Sequence, residues 1–376
     1  MTTPSPLKSN RMKLIHCADI HLDSAMTSHI APDTARKRRG EILRNFERMV
    51  EFAAAEDVGA ILIAGDLFDT PVTSELTRST LLHCITSHPG IAFFYLRGNH
   101  DEKLLTEGLF EKPFNLMLFG EEWSCYECGG VAIYGRELFR ERAGFYNGLQ
   151  PEPDKINIVM LHGQISEHPS GVAYGIDLKQ LRQKNIDYLA LGHLHAHSEG
   201  RLDDRGIYCY SGCLEGRGFD ECDGEHGFML LETDSDTRSI SSRFIPFEKR
   251  RLHSVTADVS GCMTTNEMIA AASKAITGAG CQESSLIRLV LRGELDPACE
   301  KDVGYMASTF AEKYYYCKVA DETRMRIRLE DYLLDQSLRG EFVRNVSGDS
   351  SLSDDDKAMI VRYGLKALAG EEADAE

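Results

Sequence analysis

Five short blocks of this sequence carry aspartate, asparagine and histidine in patterns that suit divalent-cation binding. They are Asp19-x-His21, Gly65-Asp66-x-x-Asp69, Gly98-Asn99-His100-Asp101, His162-Gly163 and Gly192-His193-x-His195. Mixed oxygen and imidazole donors without thiolate suit manganese, iron or zinc more than calcium. The central block is Ile61-Leu62-Ile63-Ala64-Gly65-Asp66-Leu67-Phe68-Asp69. An apolar run stopped by glycine reads as a strand buried on both faces, and the carboxyl end of such a strand is where an open α/β sheet gathers its ligands. Asp66 sits at that end and can offer its two carboxylate oxygens to two cations, with the other blocks gathered around it. In extended backbone, residues i and i+2 point the same way, which aims Asp19 with His21 and His193 with His195 into one cleft. The adjoining glycines let the backbone turn sharply and approach a ligand closely. One Asp-x-His pair is commonplace, and a single buried histidine is usually just hydrogen-bonded. All five blocks, each after an expected strand, point to a dinuclear site.

The elements that must position these blocks alternate strand and helix. Residues 13–17 read as a strand leading to Asp19, and residues 34–56 as a long helix with Ile42, Phe46, Met49, Val50 and Ala53 at helical spacing. Strands follow at 60–64, 91–96, 131–134, 156–161 and 188–191, with helices at 73–87 and 178–184. Residues 207–210, 227–232 and 241–247 read as an antiparallel meander. This alternation indicates a layered α/β domain. Residues 1–11 read as a leader, residues 12–250 as the catalytic domain and residues 251–330 as a β-α-β-α-β capping domain after the charged run Glu248-Lys249-Arg250-Arg251. A tail, residues 331–376, carries two amphipathic helical patterns, one around Leu333, Leu334, Leu338, Phe342 and Val343 and one around Met359, Ile360, Tyr363 and Ala367.

A chain of 376 residues has room for two domains, and 42% hydrophobic with 27% charged residues is ordinary for a soluble globular protein. No apolar run reaches the ~18 residues of a membrane span, and the N-terminus lacks an apolar signal core, so a cytoplasmic protein is expected. The 11 cysteines are odd in number and scattered, which fits a reducing compartment better than a disulfide scaffold. Cys125 and Cys128 form one CxxC pair without the second pair that a zinc ribbon needs. The net charge of −17 argues against indiscriminate nucleic-acid binding by this chain alone.

The ordered set of blocks resembles the signature of the calcineurin-like metallophosphoesterase superfamily over roughly residues 12–247. The resemblance implies a four-layer α/β/β/α sandwich with the metals at the sheet edge, followed by a small α+β C-terminal capping domain. Carried over residue by residue, Asp19, His21, Asp66 and His195 would hold one metal, and Asp66, Asn99, His162 and His193 the other. His100 would be the catalytic acid or transition-state stabiliser, oriented by Asp69. Only two of these ligands are carboxylates, so two divalent cations with a bridging hydroxide keep a positive site that suits a phosphodiester. Family resemblance favours Mn2+, with Fe2+ or Zn2+ as alternatives.

Within the superfamily the chain is similar to bacterial DNA-repair exonucleases of the SbcCD nuclease-subunit type, including the short variants. Residues Leu14-Ile15-His16-Cys17-Ala18-Asp19-Ile20-His21-Leu22-Asp23 match the first motif of that group, and Tyr210-Ser211-Gly212-Cys213-Leu214-Glu215-Gly216-Arg217-Gly218-Phe219-Asp220-Glu221 sits where those nucleases have a strand and Gly-rich loop beside the metals. The resemblance implies a DNA exonuclease in repair. A phosphodiesterase or phosphatase acting on nucleotides or other small phosphoesters is the alternative with the same metals. Arg217, in its glycine-flanked loop, is a candidate substrate contact. Arg36, Lys37, Arg38 and Arg39, with Arg44 and Arg48, either track a DNA backbone or form a solvated helix face. Arg324, Arg326 and Arg328 alternate at strand spacing and read either as a groove lining or as a solvated sheet face. The resemblance also implies a coiled-coil ATPase partner docking on the C-terminal helices, and a homodimer.

Overall fold

The computed structural model describes residues 11–26, 30–69, 73–101, 112–138, 144–168, 172–222, 224–296, 299–325, 332 and 334–368. The chain divides into two compact units, Met1–Leu252 and His253–Glu376. In order, the first unit contains β1 (Arg11–Cys17), α1 (Pro32–Ala55), β2 (Val58–Ala64), α2 (Glu75–Ser87), β3 (Ala92–Leu96), β4 (Leu116–Leu118), β5 (Ser124–Cys128) and β6 (Val131–Gly135). It continues with β7 (Ile156–His162), β8 (Gln164–Ile165), β9 (Gly175–Ile176), α3 (Leu178–Leu181), β10 (Tyr188–Gly192), β11 (Ser198–Arg201), β12 (Ile207–Tyr210), β13 (Gly227–Asp234) and β14 (Ser239–Pro246).

Two six-stranded sheets form the centre, ordered β14-β13-β1-β2-β3-β4 and β11-β12-β10-β7-β6-β5. Leu14, Ala60, Leu62 and Phe94 of the first sheet pack against Ile133, Ile158, Met160, Tyr188 and Ala190 of the second, which makes the core between the layers. On the outer face of the first sheet, Ile15, Ile61, Ile63 and Phe93 meet Ile42, Phe46, Met49, Val50 and Ala53 of α1. Both faces of β2 are therefore covered, and all seven of its residues are buried. Helix α1 starts with proline in its first turn, whose fixed φ suits that place, and truncating Phe46 to alanine would cost about 3–5 kcal/mol. Ser74 caps α2 by accepting from Thr77 N at 3.2 Å. The two-sheet α/β sandwich expected from the sequence is present. Its fourth layer is thin: Phe145, Tyr146, Leu149 and Leu181, from turns and the short α3, cover Tyr134, Val159, Leu161 and Leu189.

Two local expectations are corrected. Residues 207–210 do not join a meander, because β12 pairs in parallel with β10 in the second sheet, while β13 and β14 form a hairpin in the first. Arg11, read as the end of a leader, opens β1 and pairs with Asp234 across the sheet. Residues 1–10 lie outside the described residues.

The boundary falls after the first residue of β15 (Leu252–Asp258), and the second unit continues with α4 (Thr265–Gly278), β16 (Leu286–Leu295), α5 (Val303–Lys313), β17 (Tyr316–Met325), α6 (Leu338–Gly348) and α7 (Asp354–Leu368). Its sheet runs β15-β16-β17, with β16 and β17 parallel over ten register pairs. Met268, Ala272, Ile276, Met306 and Phe310 of α4 and α5 pack on Ile287, Leu289 and Leu291. Helix α4 begins with a capping box, Thr264 to Glu267. Helices α6 and α7 meet through Val343, Val361 and Leu365 with Tyr332. Leu334, Leu338, Met359, Ile360 and Leu368 are exposed. Arg326, Arg328 and Leu333 lie outside the described residues, and Arg324 is exposed. Among the described residues no helix is long and apolar enough to cross a membrane.

Candidate metal centre

Strands β1, β2 and β3 are parallel neighbours in one sheet, and β7 and β10 are parallel neighbours in the other. Their carboxyl ends therefore share one edge of the sandwich, where all five blocks emerge. Backbone bonds tie the ends together: Asp19 N to Gly65 O at 3.0 Å, His21 N to Asp66 O at 3.0 Å and Gly163 N to Gly192 O at 3.1 Å. The two sheets close tightly here, since a Cβ on Gly192 would fall 2.1 Å from Ala64 O. The Asp101 carboxylate accepts from the backbone N–H groups of Leu67, Phe68 and Gly98, fixing the two loops that carry Asp66 and Asn99.

Strand periodicity is not what aims these side chains. Asp19, His21, Asp66 and His193 all have positive φ, at 50°, 49°, 50° and 106°. They stand on tight turns just beyond the strands. Left-handed backbone at non-glycine residues is costly, and it collects where surrounding structure enforces it at functional sites.

The side chains converge in two overlapping groups. His21 Nε2 and His195 Nε2 are 3.2 Å apart. His162 Nε2 and His193 Nδ1 each lie 3.0 Å from Asn99 Oδ1. Asp66 Oδ2 stands between them, 3.3 Å from His162 Nε2 and 3.8 Å from His21 Nε2. Cation-to-ligand bonds of ~2.1 Å at right angles set neighbouring donors ~3 Å apart. Two sets, Asp19 with His21 and His195 and Asp19 with Asp66 and His162, each bring one donor atom per residue within 4.8 Å of one another. A third set, His21 with Asp69 and His100, shares His21. None of these sets, among the described residues, contains a cysteine, and all 11 cysteines are free thiols.

Oxygen atoms behind the rings mark which imidazole nitrogen faces outward. His162 Nδ1 lies 2.9 Å from Ala64 O, His21 Nδ1 lies 3.1 Å from Asp69 Oδ1, and His195 Nδ1 lies 2.7 Å from Glu221 Oε1. With both Nδ1 atoms turned outward toward carboxylates, the Nε2 atoms of His21 and His195 face each other. Only a proton or a cation between them relieves that opposition, so the donor set fits a divalent ion. Burial raises the Asp19 carboxyl to about 6. Burial also acts upward on Asp66, but the His162 hydrogen bond and charge outweigh it and hold it at about 2. Burial acts downward on His162, yet Asp66 and Asp19 lift it to about 9. Burial lowers His21 and His193 to about 4 each.

Residues 12–197 match the sequence profile of the family described as calcineurin-like phosphoesterase. Over that segment the chain is similar to the calcineurin-like phosphoesterases. Members of this family typically bind two divalent metals, and the phosphoesterase segment ends two residues after His195. The chain is similar to an uncharacterized metallophosphoesterase, YhaO, of Bacillus subtilis, 28% identical over 65% of this chain and 61% of that protein. It is also similar to the DNA double-strand break repair protein Mre11 of Aeropyrum pernix, 25% identical over 66% of this chain and 64% of that protein. The same protein of Sulfurisphaera tokodaii is 25% identical over 67% of each chain. The chain thus spans less than two thirds of the length of the first two of these relatives.

Around the candidate metal centre, the remaining sequence candidates fall in different places. His100 is 44% exposed in its side chain; its backbone N–H donates to Asp66 Oδ1 at 2.8 Å. The Asp69 carboxylate serves His21 and Arg217 more closely than His100, from which it is 3.7 Å distant. It is the Asp69 carbonyl that approaches His100 Nδ1, at 3.3 Å. Arg217 does sit beside the centre, but its guanidinium is committed to Asp69, Glu221 and the edge of His195. Arg36 is exposed, and Arg39 is half-buried and donates to Ala25 O at 3.4 Å. Arg38 is withdrawn from the basic track. It is fully buried and donates to Glu41, Glu215 and Gly216 O at 2.8–2.9 Å. Its place was legible, since it follows Ala35 by three residues and precedes Ile42 by four, on the buried face of α1. Glu221 was missed as a site residue. It lies on a one-turn 3₁₀ helix, and only the tertiary fold turns its carboxylate toward His195.

Proposed function

We propose that this phosphoesterase is a two-metal phosphodiesterase that degrades DNA as a repair exonuclease. The observation that supports it most is the position of Asp66 between two donor groups, Asp19, His21 and His195 on one side and Asn99, His162 and His193 on the other. In this reading Asp66 would be shared by two divalent cations, one held by each group, and the nitrogen and oxygen donors suit Mn2+, with Fe2+ or Zn2+ as substitutes. Cations held there would supply a water of lowered pKa and positive charge for a phosphoester.

The chain's own residues do the rest. Asp19 and Asp66 supply the only two carboxylates among the proposed ligands, so the loaded site keeps the positive charge that a phosphodiester needs. His100 is held by its backbone to Asp66 and by Nδ1 to the Asp69 carbonyl. A proton for the leaving oxygen then departs from its Nε2. Arg217 adds a fixed positive charge beside His195, while Arg36 and Arg39 on α1 would follow the DNA backbone without reading sequence.

DNA as substrate draws on the similarity to relatives named as DNA double-strand break repair proteins. With a net charge of −17 the chain needs help in holding a polyanion. A coiled-coil ATPase subunit docked on the exposed Leu338, Met359, Ile360 and Leu368 of α6 and α7 would supply it, and a homodimer would pair two such centres. Sedimentation showing a monomer, unchanged by a coiled-coil ATPase subunit, would count against both partners.

The assay that tests the proposal offers linear double-stranded DNA, single-stranded DNA and a chromogenic phosphodiester to the protein with Mn2+. Release of nucleotides from DNA, lost in His100→Ala, is the expected result. Turnover of the small ester with both DNAs untouched would reject the nuclease in favour of a small-phosphoester hydrolase.

A further inference from the structure

The imidazoles of the two donor groups are held from behind in different ways. On the His21 and His195 side, both Nδ1 atoms face carboxylates: Asp69 Oδ1 at 3.1 Å and Glu221 Oε1 at 2.7 Å. On the other side, His162 Nδ1 faces only the neutral Ala64 carbonyl at 2.9 Å. His193 turns its Nδ1 inward, toward the neutral amide of Asn99.

Arg217 joins the two carboxylates. Its Nη1 donates to Asp69 Oδ1 at 3.1 Å, and its Nη2 donates to Glu221 Oε1 at 2.7 Å. The Arg217 backbone N–H closes the ring on Glu221 Oε2 at 2.7 Å. The turn that carries Glu221 is itself pinned: His226 Nε2 donates to Glu221 O at 2.7 Å, and His226 Nδ1 lies 3.2 Å from the buried Cys213 Sγ. Glu221 is 8% exposed and the Arg217 side chain 14%. Asp69, Arg217 and Glu221 therefore form one rigid strut behind His21 and His195.

The strut carries two negative charges and one positive, a net of one negative charge on one side of the centre. Asp19 lies within reach of both sets and does not distinguish them, so the asymmetry rests on the strut, with only the neutral Ala64 carbonyl and Asn99 amide on the other side. Carboxylates behind ligand histidines raise the basicity of the inward nitrogen and fix its direction.

We infer that the two cation sites are unequal, and that Glu221 is the positioning residue that makes the His21–His195 site fill first. This inference rests on the two-cation reading above. Loss of such a carboxylate typically weakens a metal by ~10–100-fold.

Titration of the metal-free full chain with Mn2+ alone, followed by calorimetry, tests it. The wild-type chain should show two binding events of different affinity. Glu221→Gln, which keeps the shape and removes the charge, should weaken the tighter event by ~10–100-fold and leave the weaker one in place. Asp69→Asn, at the opposite end of the strut, should move the same event, and this covers the case in which Glu221→Gln does not fold. Wild-type isotherms retained in both variants, or both events weakened equally in a folded variant, would overturn the inference while leaving two cations in place. A wild-type chain that binds fewer than two ions would instead overturn the two-cation reading.

Discussion

A methyl group on Gly98 would lie 2.2 Å from Asp66 Oδ1 and 2.5 Å from Asp66 N. The loop bearing Asn99 and His100 thus lies flat against the residue at the middle of the centre, and only glycine leaves room. Gly98→Ala must push Asp66 or the loop aside, and a displacement of ~1 Å near reacting groups can cost ~100-fold in rate. Steady-state kinetics on a phosphodiester should show a loss of about that size. Unchanged kinetics would mean that Asp66 has slack the geometry does not suggest.

His100 touches the centre through its backbone and keeps an exposed ring. Replacing it with alanine leaves the backbone N–H on Asp66 in place. We expect His100→Ala to lower turnover by ~10²–10⁴-fold with metal content unchanged. Kinetics paired with elemental analysis of the same sample will separate the two effects; loss of metal along with activity would argue that the ring is a ligand.

Arg38 and Arg36 are two residues apart on α1 and should respond oppositely. Arg38 is buried in a network with Glu41 and Glu215, and Glu215 also accepts from Asn45 and from the backbone of Lys249 and Arg250. Removing Arg38 takes the buried cation from Glu215 and leaves Glu41 with Arg250, so Arg38→Ala should destabilise the unit by ~3 kcal/mol in urea unfolding. Arg36 is exposed near Asp33, and Arg36→Ala should leave stability within about ±0.5 kcal/mol. A negligible change in Arg38→Ala would contradict the buried network.

Glu248 gives the fold a pH dependence. Its Oε2 is buried with no hydrogen-bond partner among the described residues. Burial, aided by Glu215 and Glu225 and opposed by Arg251, raises its carboxyl from 4.5 to about 7. Between those values the folded chain holds the extra proton, so this contribution is full below pH ~4.5 and is lost as the pH rises through about 7. Glu248→Gln should flatten that slope and raise stability above pH 7 by on the order of 1–2 kcal/mol after allowing for solvent screening. Denaturation midpoints of both proteins between pH 5 and 8 will show it; parallel curves would assign the slope elsewhere.

The donor blocks were readable because each follows a buried strand, and parallel strands deliver their carboxyl ends to one edge. The reason given for their aim was wrong in detail. Asp19, His21 and His193 leave the strands and adopt positive φ, a choice enforced by cross-sheet bonds such as His193 N to Asp19 Oδ2 at 2.9 Å. Glu221 and the Asp69–Arg217 bridge were not readable, because a carboxylate chooses its partner through tertiary packing rather than spacing. The basic run at 36–39 looked uniform, but helical geometry sends Arg38 inward while its neighbours remain at the surface. The parallel placement of β12 was hidden for a similar reason: a four-residue strand carries no signal of its direction.

Anomalous diffraction from crystals of the full chain soaked in Mn2+ tests the central claim most directly. Two peaks flanking the Asp66 carboxylate, one beside His21 and His195 and one beside His162 and His193, are predicted, and both should vanish in Asp66→Asn. A single peak, peaks remote from Asp66, or two peaks retained in Asp66→Asn would contradict the shared-carboxylate centre.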